Sequence, residues 1–109
     1  SISLRNVRPD RTETAVPKIL PLNPFTTTDG STTITVKEPN HGRSTSDRVR
    51  FRDAQNVGGV LGSTINLAAG YVITKVNDDK YTFATATTSS ISETGGGGSA
   101  SAGPVTVSA

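Results

Sequence analysis

The chain has 109 residues, a formal net charge of +2, 32% hydrophobic and 5% aromatic residues, and no cysteine. That length fits one domain, and an apolar share well under the roughly 45–50% of an average domain predicts a thin core completed by partner surfaces. Disulfides and thiolate metal sites are excluded, and a lone histidine would need carboxylates to finish a metal centre.

No run approaches the roughly 18 apolar residues of a membrane span, and the first residues lack the basic-then-apolar pattern of a signal peptide. With no methionine anywhere, a piece of a longer polypeptide is expected.

Residues 1–24 read as an extended arm, because Pro9, Pro17, Pro21 and Pro24 leave no room for a helix of useful length. Its start alternates apolar and polar residues, so Ile2, Leu4 and Val7 are candidate interface residues for adding a strand to a neighbouring sheet. A β-barrel module follows over 25–86. Asp29-Gly30 opens a turn, and a strand over 31–37 puts Ile34 and Val36 on one face and Thr33, Thr35 and Lys37 on the other. Pro39 stops that ladder.

Arg48–Arg52 is the next strand, with Val49 and Phe51 facing the core and Arg48, Arg50 and Arg52 forming a basic stripe behind them. Gly58, Gly59 and Gly62 break the following stretch into a loop or bulged strand anchored by Val57, Val60, Leu61 and Ile65. The clearest hairpin joins 71–76 to 80–86 across Asn77-Asp78-Asp79. The expected core is Ile34, Val36, Val49, Phe51, Ile65, Tyr71, Val72, Ile73, Val76, Tyr81 and Phe83. From Thr87 the composition turns to Thr, Ser and Gly, so 87–109 reads as a flexible tail or linker, with a last short strand over 104–108. The fold class is therefore all-β: a small antiparallel barrel or sandwich with an N-terminal arm and a Gly/Ser/Thr-rich tail.

The residues offer little chemistry. Asp47 and Asp53 lie six positions apart on one strand, about 20 Å, beyond the roughly 5–9.5 Å of paired acid and base work. His41 and Asp47 read as turn caps. Asp78-Asp79 lacks the alternating pattern of a calcium loop, and the Gly95 to Gly98 run lacks the Lys-Ser or Lys-Thr of a phosphate loop. No catalytic residue, metal site or cofactor is assigned. The arginines sit about 6.6–6.8 Å apart, which would suit phosphates, but the low net charge and the absence of interleaved aromatics disfavour nucleic acid. An intersubunit or surface salt-bridge role for Arg48, Arg50 and Arg52 is expected instead.

The motif order is specific enough to carry a resemblance. Asn23-Pro24-Phe25-Thr26-Thr27-Thr28-Asp29-Gly30, then Asn40-His41-Gly42, Asp47-Arg48-Val49-Arg50-Phe51, Val57-Gly58-Gly59, and the stretch from Tyr71 to Phe83 resemble repeats of bacteriophage virion proteins, found in tail and head-to-tail components. The pattern is also similar to the small β-barrel half-domain of ubiquitin-activating enzymes. It covers roughly residues 23–98. The family usually has glycine where this chain has Ser46, and Ser-Gly where it has Arg52-Asp53, and its Leu-Asn-Gly turn is matched only loosely by Ile65-Asn66-Leu67. The resemblance implies a structural virion component, not an enzyme, with other virion proteins as partners and a cyclic homo-oligomer as its form. A receptor- or glycan-binding module displayed on the particle is the alternative.

Overall fold

Alternating side chains dictate the two central strands, and the rest of the sandwich is built around them. The computed structural model describes residues 18–105. Along the chain lie β1 (Lys18–Ile19), β2 (Phe25–Thr27), β3 (Thr33–Lys37), β4 (Arg48–Arg52), the single helical turn α1 (Gly62–Ile65), β5 (Tyr71–Val72), β6 (Thr74–Asn77), β7 (Lys80–Ala84), β8 (Glu93–Gly96) and β9 (Ser101–Gly103). They form two antiparallel sheets, ordered β1-β9-β4-β5 and β6-β7-β3-β2-β8. The all-β expectation therefore holds. Ile2, Leu4 and Val7 fall outside the described residues.

The inner faces meet through aromatic rings. Phe51 of β4 lies 5.4 Å, centroid to centroid, from Phe25 and 4.8 Å from Phe83, and stacks on Tyr81 at 6.3 Å. Tyr71 of β5 adds a contact with Phe83 at 4.7 Å. Ile34, Val36, Val49, Ile65 and Ile73 are buried around these rings as expected. Leu20, Phe25, Ala54, Val57, Val60, Ala100 and Ala102 join them.

Two expected core residues do not. Val72 is 50% exposed and Val76 56% exposed. The predicted strand over 71–76 is in fact two short edge strands in different sheets, β5 pairing β4 and β6 pairing β7. Of this segment, Ile73, where the chain crosses between sheets, is fully buried, and Tyr71 packs partly buried against the core. Leu61, expected as an anchor, is likewise exposed, because the chain there turns into α1 instead of continuing as a strand.

The polar tail departs from the linker expectation: Glu93–Gly96 pairs with β2, and Ser101–Gly103 sits between β1 and β4, so the described part of 87–109 contributes two strands, and the two sheets draw on residues outside 25–86. The last described strand ends at Gly103, and most of the expected strand over 104–108 lies outside the described residues. Hydroxyls and glycines do the work that apolar side chains would do elsewhere. The buried Thr27 hydroxyl donates to Ile91 O at 2.8 Å and accepts from the Glu93 N–H at 3.1 Å. Gly97 has φ +95°, and its Cα lies so close to the Phe25 ring that a Cβ would overlap it. Asn23 completes the join, exchanging Asn23 N–H to Gly98 O and Gly98 N–H to its own Oδ1.

Ser46, just before β4, and Asp53, just after it, are both left-handed. Ser46 has φ +82° and Asp53 φ +64°. A left-handed L-residue costs about 1–2 kcal/mol, less for Asp, whose short side chain bonds locally. Ser46→Gly keeps the backbone bond from the Ser46 N–H to Ile73 O and is expected to raise stability by about 0.5–1 kcal/mol after the greater freedom of unfolded glycine is subtracted. Urea denaturation of the variant checks this. A lower midpoint than the parent would contradict the strained backbone.

Candidate functional site

With the inner faces filled, the groups free to meet a partner lie on the two outer faces, and one buried polar cluster holds the edge between them. That cluster starts from parity: residues 34, 36 and 38 share the inward side of β3, so Glu38 enters the molecule and is 1% exposed. The Tyr81 hydroxyl donates to Glu38 Oε1 at 2.6 Å. Arg43 Nε donates to the same oxygen at 3.0 Å and its Nη2 to Oε2 at 3.3 Å, while Lys18 Nζ lies 3.5 Å from Oε2. A buried carboxylate so surrounded ties β1, β3, β7 and the loop over 40–46 together.

Burial first, then the Glu38 charge and hydrogen bond, push the Tyr81 phenol above its ordinary value near 10. The unfolded tyrosine ionises at about pH 10, so the stabilisation is complete below that pH and is lost as pH rises above it. Between pH 10 and 12 the parent is expected to lose up to about 1.4 kcal/mol per pH unit more than Tyr81→Phe. Parallel stability curves for the two proteins would refute the buried phenol.

His41, one of the expected turn caps, does more than close a turn. It accepts the Arg43 N–H on Nδ1 at 2.8 Å, which places its proton on Nε2, and Nε2 donates to Asn77 O at 2.6 Å. Ser46 N–H bonds Ile73 O, and Lys75 N–H bonds the Thr45 hydroxyl. Residues 73, 75 and 77 along the outer edge at β6 are thus satisfied by the loop over 40–46. An open strand edge invites pairing with other chains, and this loop blocks it. Asp47 caps its turn as expected, accepting the Ser44 N–H at 2.8 Å.

On the four-stranded sheet the arginine stripe forms as expected. Arg48 Nη1 donates to Ala69 O at 3.0 Å, and Arg52 Nη2 to Pro104 O at 2.8 Å. Arg50 Nε and Arg52 Nη1 are buried atoms with no hydrogen-bond partner among the described residues. Burial, and then the neighbouring Arg50 charge, lower the Arg52 guanidinium below its ordinary value, with Asp53 opposing. Leaving buried donors unmade is costly.

The five-stranded sheet carries a feature that sequence reading missed. Thr74 pairs with Thr82, Thr82 with Thr35, Thr35 with Thr26, and Thr26 with Thr94. One threonine from each strand therefore forms a row across the whole outer face, at the roughly 4.7–4.9 Å spacing of neighbouring strands. The next row holds Lys37 directly opposite Lys80. Beside them a cavity of about 570 Å³ opens, walled by Pro21, Leu22, Asn23 and Pro24 and floored by Thr26, Thr35, Lys37, Lys80 and Thr94. Only strand register reveals such a row, since its members are scattered over residues 26–94. Among the described residues no group of three acidic or histidine side chains is placed to hold a metal.

No known family model matches the chain, and no curated protein matches it. Among solved structures it is similar to the Phage phi92 endosialidase, with 23% identity and a TM-score of 0.61. The likeness covers 81% of this chain but 12% of that one. The chain thus shares a fold with a small part of a much longer phage protein. Of the two resemblances read from the motifs, this likeness bears on the phage one alone.

Proposed function

We propose that this chain is a β-module of a bacteriophage virion protein, in the tail or head-to-tail region, and that it acts through subunit assembly. The observation that carries the reading is the fold shared with part of a phage protein over 81% of the chain, and the motif order through 23–98 supports it. Engagement of both ring nitrogens of the only histidine argues against a catalytic role.

In this reading other virion proteins, or further copies of the chain in a cyclic ring, meet the outer face of β4. Partner carboxylates there would pair with the guanidinium groups of Arg48, Arg50 and Arg52. The arm would add as a strand through Ile2, Leu4 and Val7. Repetition around a ring turns such weak contacts into a stable assembly. Arg50→Glu tests the arginine face, because it reverses the charge on an outward side chain and leaves the core untouched. The variant is expected to keep its melting transition and lose the oligomer on size-exclusion chromatography. An unchanged elution volume would remove the arginine stripe from the interface.

A further inference from the structure

We propose that the groove on the outer face of the five-stranded sheet binds an acidic polysaccharide, with Lys37 and Lys80 holding its carboxylates and the threonine row its hydroxyls. This goes beyond assembly and does not depend on it.

Lys37 and Lys80 are direct cross-strand partners, both exposed and both lining the cavity. Like charges directly opposite one another on a sheet are destabilising. Lys18 and Arg43 lie on Glu38, and Lys75 pairs with Asp78 at 3.3 Å. Neither Lys37 nor Lys80 has an ion pair with any described residue. An external anion would relieve the pair, and the cavity lies where it would sit.

Hydroxyls set the rest of the ligand. Thr26, Thr35 and Thr94 line the cavity, and their hydroxyls make no hydrogen bond within the described structure. No aromatic ring lines it, so a neutral sugar would find no stacking platform. A volume of about 570 Å³ falls within the roughly 300–1,000 Å³ of ligand sites. A ligand offering carboxylates to one row and hydroxyls to the next matches both, and an acidic sugar chain is such a ligand. An acidic protein surface is the competing occupant, and an acidic polypeptide separates the two in the test below.

Fluorescence anisotropy at low ionic strength tests this with labelled polygalacturonate, dextran, polyglutamate and oligothymidylate. Polygalacturonate is expected to bind tightest and dextran not at all. Lys37→Gln and Lys80→Gln should each weaken the binding roughly tenfold, and relief of the like-charge pair should leave each variant melting at or above the parent temperature. Replacing Thr26 and Thr35 together with valine should weaken polygalacturonate selectively. Lys75→Gln should change nothing. Equal or tighter binding of polyglutamate or oligothymidylate, an equal loss in Lys75→Gln, or no polygalacturonate binding would each overturn the proposal.

Discussion

Phe51→Ala is expected to destabilise the fold by about 3–5 kcal/mol, the usual range for truncating a buried aromatic. The side chain is fully buried and is the point where the two sheets meet. It contacts Phe25 edge to face, Phe83 at 4.8 Å and Tyr81 in a stack. Deleting it opens a cavity between layers that cannot collapse without shifting both sheets. Against a total stability of about 5–15 kcal/mol, that loss leaves a marginal fold. With a urea dependence of about 1–3 kcal/mol per molar, the unfolding midpoint should fall by at least about 1 M. A midpoint equal to the parent's would mean that the sheets are held by other contacts.

Gly97→Ala should cost about 2–5 kcal/mol, although it adds a single methyl group to a stretch that reads as linker. Two effects combine. A left-handed L-residue costs about 1–2 kcal/mol, and forcing a methyl into a packed contact costs about 1–3 kcal/mol. Gly97 has φ +95°, and its missing side chain is what lets the backbone lie against Phe25. Gly95 provides the control. It has φ +79°, but a Cβ there would meet nothing nearer than Asn23 O at 3.7 Å, so Gly95→Ala should incur the backbone strain alone. Equal losses at the two positions would contradict the close approach to Phe25.

These two residues mark how far the sequence could be read. Phe51, Val49, Ile34, Val36, Tyr81 and Phe83 were legible because alternation fixes which side chains share a face, and a half-buried strand demands alternation. Val72 and Val76 obey the same period yet are exposed, because a period of two says nothing about where a chain leaves one sheet for another. The segment after Thr87 was misread for a different reason. Gly, Ser and Thr signal freedom by composition, but here the glycines admit close backbone approach and the buried Thr27 hydroxyl supplies the bonds. Phe25 escaped with it, since a three-residue strand beside prolines leaves no pattern to detect. Glu38 was within reach: it continues the inward parity of Ile34 and Val36. The threonine row was not, because register between distant strands is invisible in a single chain.

The arginine stripe was legible as a pattern, whereas its unsatisfied donors became apparent only with the strand environment. That face carries the assembly reading, and the arm is its expected companion. Truncation must spare Lys18, which contacts Glu38, and the buried Leu20, so the cut belongs after residue 17. Light scattering of the full chain and of the chain lacking residues 1–17, across a concentration series, tests the account most directly. It predicts a defined oligomer for the full chain and a folded, smaller species for the truncated one. A monomer in both cases would contradict assembly through copies of this chain.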